Sequence, residues 1–246
     1  MLLRRVTEHV KNQNWIAVGI DFAIVVIGVF IGLQVANWSE TRAQYQRELT
    51  YLERLDAEFE IVENRLNQTI ATSELARNSL RSLSQAHDQG AGAFSNGDAK
   101  SAVELLVGSV SAVVPARSPA VFNELVSNGE LSILRSAELR TALYEFDNLS
   151  DVAFKAWEGS ENAVLPFRRL AFDILSLDLD KLEAEIRAGK LALSGDLIPN
   201  SFFDNSDMQS ELTLVFVYNL NNGVFAEQQL QLVERIKELL AKELDR

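Results

Sequence analysis

Residues 14–38 read "NWIAVGIDFAIVVIGVFIGLQVANW", and this stretch decides the architecture of the chain. Between Trp15 and Trp38 lie 22 residues that carry a single charge, Asp21. The 18 residues 22–39 are all uncharged. As a helix they extend about 27 Å, close to the roughly 30 Å hydrocarbon core of a bilayer. Tryptophans at both ends are typical of the membrane interface. The stretch therefore predicts a transmembrane helix, with Asp21 at the membrane boundary.

The residues on either side of this helix indicate whether it is cleaved off and which way it is inserted in the membrane. No small-x-small cleavage site follows the apolar run, so we expect a permanent anchor rather than a removable signal peptide. Three basic residues precede the span and three follow it, namely Arg4, Arg5 and Lys11, and Arg42, Arg47 and Arg54. This balance gives no orientation by charge alone. A short basic segment before an uncleaved apolar run behaves as a signal anchor that exports the residues after it. We therefore expect a cytoplasmic tail at 1–14, a transmembrane helix at 15–38 and a periplasmic domain at 39–246, in a bacterial inner membrane.

Composition indicates an all-α protein. The chain has 246 residues, 47% of them hydrophobic, which is enough for a sizeable core. Four prolines and twelve glycines leave few interruptions, which favours long helices over a many-turned β architecture. The chain has no cysteine, so disulfides and thiolate metal sites are excluded.

Charge bears on the partners. The net charge is −12, which argues against nucleic acid as a partner, because phosphate neutralisation needs a basic face. Residues 1–38 carry +1, so residues 39–246 carry −13. We expect this acidic domain to stand off an anionic lipid surface.

A long amphipathic helix is predicted directly after the span. Residues 37–85 contain no proline or glycine. Apolar side chains then recur at alternating spacings of three and four, at Leu52, Leu55, Phe59, Val62 and Leu66. The charged residues between them are typical of a solvated face. The glycine-rich stretch "HDQGAGAFSNGDAK", residues 87–100, is expected to end this helix.

The middle of the chain predicts a short helix and then a long one. Ser118 and Pro119 form an N-cap and first-turn signal, while Asn128 with Gly129 is a helix stop. Ser136 is placed to cap the next helix. That helix keeps core spacing, until Pro166 perturbs it, at Leu139, Leu143, Phe146, Ala153 and Trp157.

A last long helix is predicted to begin near Ser206 or Asp207. Its buried side is marked by Leu232, Ile236 and Leu239, and Gly223 is a candidate for a bend. Together these helices predict that the transmembrane helix continues into the long helix of an extracytoplasmic helical bundle.

Two stretches resemble a known family: "IDFAIVVIGVFIGLQVANWSE" before "YLERL", and "FNELVSNGELSILRSAELRTALYEF". The resemblance is to a family of uncharacterised single-pass bacterial membrane proteins, described only as a domain of unknown function. It implies the same topology and no known activity. The matching element of this chain consists of Glu124, Leu125, Ser127, Gly129, Leu131 and Arg135. We interpret this element as a helix-turn-helix corner rather than a ligand site.

No residue pattern points to catalysis. His9 and His87 are the only histidines, so no His-based triad or metalloprotease helix is available, and no glycine-rich phosphate loop precedes a helix. We expect His87 to be a surface residue. The protein is predicted not to be an enzyme, with no catalytic residues, no cofactor and no metal site.

Three further clusters have a structural interpretation beside a functional one. The carboxylates of Asp178, Asp180, Glu183 and Glu185 are of the kind that a hard cation binds, which is one interpretation. We favour a helix start, where acidic residues suit the positive end of the dipole. Aromatic residues recur at helical spacing and are assigned to the core rather than to a pocket: Phe122, Tyr144, Phe146, Phe154, Trp157, Phe167 and Phe172. Ile198, Phe202 and Phe203 are expected to pack onto the core, with a partner-binding loop as the alternative.

One face of the transmembrane helix is a candidate interface. At 100° per residue, Gly28 and Gly32 fall within about 20° of Asp21, and Ala36 about 60° away. Small residues four apart let two helices approach closely in lipid. A carboxylate so near the hydrocarbon prefers protein or water to lipid. We therefore predict a transmembrane interface at Asp21, Gly28, Gly32 and Ala36. The alternative is that the glycines are incidental and Asp21 lies among the headgroups.

The sequence leaves three classes of function. The favoured hypothesis is a non-enzymatic structural or protein-interaction subunit that associates through its transmembrane helix as a homodimer or with another membrane protein. The alternative is an extracytoplasmic small-molecule sensing module that signals through a partner, since the 14-residue tail has no room for an output domain. An enzyme with an unrecognised site is the third.

Overall fold

The computed structural model describes residues 15–90, 105–110, 114–174 and 207–245, and all statements about structure refer to them. Every regular element in these ranges is a helix, which confirms the all-α prediction. The four α-helices are α1 (Trp15–Gln89), α2 (Ala120–Ser127), α3 (Ala137–Ile174) and α4 (Met208–Leu244). A 3-10 turn (Leu131–Ile133) joins α2 to α3, and residues 105–109 form one more helical turn.

The chain divides into two compact units, Met1–Thr50 and Tyr51–Arg246. The boundary falls within α1, whose 75 residues include both the apolar stretch and the predicted amphipathic helix. The first unit is described from Trp15 onward and is helical throughout that range.

The second unit is a bundle of three long helices, in which α4 runs antiparallel to both α1 and α3. Against α1, Lys237 pairs with Glu63, while Gln209 accepts a hydrogen bond from Ser84 at 2.9 Å. Against α3, Arg235 lies 2.9 Å from Glu145, while Tyr218 reaches Glu161. As residue numbers increase along α4, the numbers of the residues that they contact decrease along both α1 and α3.

Two separate apolar clusters form the core of the bundle. The first core cluster joins α1, α2, α3 and the second half of α4, and its largest fully buried side chains are Leu55, Phe59, Leu66, Phe122, Leu125, Leu134 and Phe146. The second core cluster joins the end of α1, the end of α3 and the start of α4, and its buried members include Leu80, Leu83, Leu106, Val164, Phe167, Leu212 and Val215. The predicted α1 seam from Leu52 to Leu66 lies entirely in the first core cluster, which confirms it.

Four helix ends have the capping or stop residue that the sequence predicts. Gly90, at φ +77°, follows the last residue of α1. Ser136 Oγ accepts a hydrogen bond from the Leu139 backbone N–H at 3.2 Å, so Ser136 caps α3. Asp207 is the N-cap residue of α4. Gly129, at φ +68°, stops α2.

Three details differ from the sequence predictions. Ser118 does not cap α2, because the N-cap position belongs to Pro119 and the Ser118 hydroxyl donates to Asp147 Oδ1 at 2.6 Å instead. Pro166 does not interrupt α3, which continues to Ile174.

Gly223 lies within the continuous helix α4, and this buried glycine lies against α1, where an added Cβ would meet Ser73 Cβ at 3.5 Å. The third difference also concerns α4. The buried side of α4 is displaced by one residue, since the fully buried positions are Val233, Ile236 and Leu240. The predicted Leu232 and Leu239 are partly buried and pack against the edge of the first core cluster.

Candidate functional site

The apolar part of α1 is exposed at every position whose side chain is described. It contains an 18-residue window that is apolar enough, by length and composition, to cross a membrane, and none of that window is buried. Large apolar side chains are more than half exposed along it, including Phe22, Ile24, Ile27, Phe30, Leu33 and Trp38. A core helix of a soluble bundle buries such residues, whereas this segment buries none of them.

The predicted interface residues lie on this segment. Asp21, Gly28, Gly32 and Ala36 are all exposed and all within continuous α-helix. Helical geometry therefore keeps them within an arc of about 80°, with Gln34 on the opposite side. A Cβ at Gly28 or Gly32 would meet no atom within 4 Å. Nothing in the described first unit occupies the space beside these glycines.

The predicted corner element is a helix end that docks on α1. Leu125 and Leu131 are buried in the first core cluster, while Ser127 and Arg135 are exposed. The Glu130 N–H donates to Leu125 O at 2.8 Å and the Gly129 N–H to Val126 O at 3.1 Å. This pair of bonds around a left-handed glycine is a Schellman motif. The element is therefore a structural corner, as its sequence predicts.

Polar side chains fasten this corner to α1. Arg54 Nη2 donates to Glu124 Oε2 at 2.8 Å, and the Tyr51 hydroxyl lies 3.2 Å from Glu124 Oε1. The Arg54 hydrogen bond lowers the pKa of Glu124 despite its partial desolvation. Desolvation, followed by the Glu124 hydrogen bond, raises the pKa of Tyr51. The Glu58 carboxylate of α1 accepts the Val121 N–H at 3.1 Å and so caps α2.

A second polar cluster joins α3 to α4. Glu161 accepts hydrogen bonds of 2.6 Å from both Arg168 and the Tyr218 hydroxyl. Burial alone would raise the pKa of Glu161, but these two hydrogen bonds outweigh it and leave that pKa lowered. Burial, reinforced by the hydrogen bond to Glu161, raises the pKa of Tyr218 to about 12. This cluster was not predicted from the sequence, because Glu161 and Tyr218 are 57 residues apart and only the fold brings them together.

Buried polar residues lie along α1, α3 and α4 near the change from one core cluster to the other. We call this set the polar layer: Ser73 of α1, Ser150 of α3, and Asn219, Asn222 and Gln229 of α4. Gln229 is satisfied, since its Nε2 donates to Ala116 O at 3.1 Å and Ser150 Oγ at 2.8 Å. Ser73 Oγ and Asn219 Oδ1 are buried and have no hydrogen-bond partner among the described residues. Unpaired polar atoms in a core are destabilising, so Ser73 and Asn219 reduce the stability of the described bundle.

A shallow groove runs between α1 and α4. Its volume is about 280 Å³, near the lower end for small-ligand pockets. Leu80 and Leu212 form an apolar floor, and Ser84, Gln85 and Thr213 lie at its rim. The Arg81 guanidinium lies 5.1 Å from the centre of the Phe216 ring at the same groove.

The remaining candidate residues divide between core, surface and undescribed segments. Of the seven aromatic residues, Phe122, Phe146 and Phe167 are fully buried. Tyr144 is exposed, and Phe154 and Trp157 are partly exposed and stack at 5.4 Å.

The residues of the metal and loop predictions lie mostly outside the described ranges. Within the described ranges, no three His, Asp or Glu residues gather to hold a metal ion. His87 is half-buried near the end of α1. The carboxylates at 178–185, the apolar residues at 198–203 and the side chain of Phe172 lie outside the described residues.

Fold and site define an all-α protein whose first long helix carries an exposed apolar segment of membrane-spanning length. Comparison of the chain with protein-family models, with curated proteins and with solved structures found no match. The function is therefore inferred from the residues and contacts of this chain alone.

Proposed function

We propose that the protein is a single-pass bacterial inner-membrane protein that acts as a non-enzymatic structural or interaction subunit. The observation that carries this proposal is the exposed apolar segment of α1, in which an entire membrane-length window is unburied. Water disfavours such a surface by about 25 cal/mol for each Å² of apolar area, so a lipid environment stabilises it. In this proposal the amino terminus is cytoplasmic and residues 39–246 are periplasmic.

Association through the apolar segment is the second part of the proposal. Gly28 and Gly32 leave open space on the same side of the helix as Asp21. That space allows close backbone contact with another helix, and the contact removes Asp21 from lipid. The partner is a second copy of the chain or another membrane protein.

Single cysteines test this association, because the natural chain has none. Full-length protein in mild detergent carries Gly28→Cys, with Gln34→Cys as the matched control on the opposite side of the helix. We expect a disulfide-linked dimer, or a mixed disulfide with a co-purified membrane protein, at position 28 and not at position 34. Replacing both Gly28 and Gly32 by leucine should weaken association. A chain that stays monomeric at every concentration would reduce the segment to an anchor.

The proposed orientation has its own test. A reporter enzyme that is active only after export, fused after Arg246, should be active, and a reporter active only in the cytoplasm should be silent. The opposite pattern contradicts the signal-anchor reasoning and places the bundle in the cytoplasm.

A sensing module is the second candidate, and the groove between α1 and α4 favours it. The apolar floor and polar rim at Ser84 and Thr213 suit a small amphipathic molecule. A metabolite that binds the folded state raises the melting temperature of the full-length protein. The test is a thermal-shift screen in which Leu212→Trp, which fills the groove, abolishes any shift. No shift across the screen argues against sensing at this groove.

A further inference from the structure

One face of α4 is apolar and exposed. Leu214, Val217, Leu220 and Val224 keep between 36% and 45% of their surface in contact with solvent. Helical geometry places these four side chains within an arc of about 120°. We call this surface the α4 stripe.

The α4 stripe lies on an uncharged stretch of α4, in a domain that is acidic overall. All 15 residues from Leu212 to Ala226 are uncharged. The exposed positions between the apolar ones are Thr213 and Asn221, which are also neutral. Further along α4 the exposed positions include charged residues of both signs, namely Glu227, Glu234, Arg235, Glu238 and Lys242. Apolar exposure and the absence of charge thus coincide on one face of the helix.

Charge decides which partner fits this face. Residues 39–246 carry −13, so two copies of the domain repel each other wherever acidic faces meet. The α4 stripe lets a second, equally acidic copy approach without that repulsion. A two-fold contact also pairs the stripe with itself, apolar surface against apolar surface. We propose that the α4 stripe is a contact surface between two copies of this chain.

The stripe is too small to hold two copies together without help. Four partly exposed side chains cover much less than the roughly 800 Å² per partner of a stable interface. Tethering in one membrane raises the effective concentration of the second copy and lets a small contact form. In this respect alone the inference rests on the proposed function, since the membrane anchor supplies the tether.

Full-length protein in lipid vesicles provides the test, with Val217→Cys as the only cysteine. The matched control is Val152→Cys, at an exposed valine of α3. Because a two-fold axis brings both copies of residue 217 together, a short bis-maleimide should give roughly tenfold more covalent dimer at position 217 than at position 152. Adding Leu214→Glu to the Val217→Cys chain introduces like charge into the contact and should reduce the dimer to the control level.

Any other outcome at positions 217 and 152 overturns the proposal. Equal cross-linking at 217 and 152, or none at either, shows that the stripe does not pair. Protection of the thiol introduced at position 217 from a monofunctional maleimide, in a monomeric protein, shows that a segment of the same chain covers the stripe. Gly28→Cys, assayed separately, reports on the membrane segment. Cross-linking at 28 without 217 rejects the α4 contact alone, and cross-linking at 217 without 28 rejects the membrane interface alone.

Discussion

Gly129 shows how one residue determines a helix end. Its φ of +68° is in the left-handed region that favours glycine. The backbone hydrogen bonds on either side close the Schellman motif, and Leu125 and Leu131 then enter the core. No atom lies within 4 Å of a Cβ added there, so any cost of a side chain arises in the backbone and not from a clash.

Two alanine substitutions separate backbone strain from helix propensity. Gly129→Ala should lower the free energy of unfolding by about 1–2 kcal/mol, because a Cβ disfavours the left-handed conformation. Gly159→Ala, at an exposed site within α3 where a Cβ also has open space, should raise it by up to about 1 kcal/mol. Denaturant unfolding of both variants measures the two signs. Equal signs would show that Gly129 is not held in the left-handed region.

Tyr218 gives the bundle an alkaline pH dependence. Its pKa is raised from the ordinary value of 10 to about 12 in the folded state. The unfolded chain therefore loses this proton first as the pH rises, and the stability contribution is complete below about pH 10 and lost by about pH 12. A shift of this size corresponds to at most about 2–3 kcal/mol, and solvent screening reduces that figure. Tyr218→Phe should show a flatter fall in the free energy of unfolding across this window, while exposed Tyr144→Phe should follow the natural chain. Parallel curves for all three proteins would contradict the assignment.

At the scale of the element, the amino-terminal end of α2 is capped by a side chain of another helix. Its N-cap residue, Pro119, provides no side-chain hydrogen bond, and the Glu58 carboxylate of α1 accepts the Val121 N–H instead. The carboxylate also faces the positive end of this helix. An element of eight residues thus depends on α1 for one of its end contacts.

Substitutions at Glu58 test this cap. Glu58→Ala removes the acceptor and should cost about 1 kcal/mol of stability, as loss of an N-cap does. Glu58→Gln keeps an acceptor oxygen and should recover most of that loss. Glu60→Ala, an exposed site two residues further along, is the control and should change little. If Glu58→Ala unfolds at the same denaturant concentration as the control, the hydrogen bond is not a stabilising cap.

Elements were predictable where the signal is local. Ser136, Asp207 and Gly129 act on residues at most a few positions away, so their roles could be inferred from sequence. The cap of α2 was predicted wrongly, because Ser118 finds Asp147, 29 residues further along, and the capping group comes from Glu58. Two buried positions of α4 were predicted one residue too early. Helical spacing indicates which arc of the helix is apolar, but only packing against the neighbouring helices decides which residues of that arc are most deeply buried.

At the scale of the whole bundle, the polar layer has opposite effects at two sites. Ser73 Oγ is buried and unpaired among the described residues, so its hydroxyl destabilises the fold. Gln229 joins Ala116 of the preceding loop and Ser150 of α3, and its removal would leave two buried acceptors unpaired. Two buried polar residues of the same layer therefore contribute to the free energy of unfolding with opposite signs.

Two substitutions in the polar layer test this difference. Ser73→Ala should raise the free energy of unfolding by about 1 kcal/mol, because it removes an unpaired buried group. Gln229→Leu should lower it by about 1–3 kcal/mol, because it leaves partners without a donor. Thermal unfolding of both variants measures the two signs. Destabilisation by Ser73→Ala would show that the hydroxyl has a hydrogen-bond partner in the folded protein.

Neither the polar layer nor the Glu161 cluster could be inferred from the sequence. Serine and asparagine are found both on solvated faces and in cores, and only the packing of α4 on α1 buries Ser73 and Asn219. The candidate membrane interface, by contrast, is predicted by helical periodicity alone. That periodicity places Gly28 and Gly32 on one face, and the unbroken helix of the structure keeps them there.

The separation of the two core clusters has a consequence for how this protein can evolve. Substitutions more than about 7–10 Å apart and without shared partners add in their effects on stability. Leu55 in the first core cluster and Leu83 in the second belong to such separate neighbourhoods. A replacement in one cluster therefore needs no compensating replacement in the other. Each half of the bundle is free to diversify at its own rate.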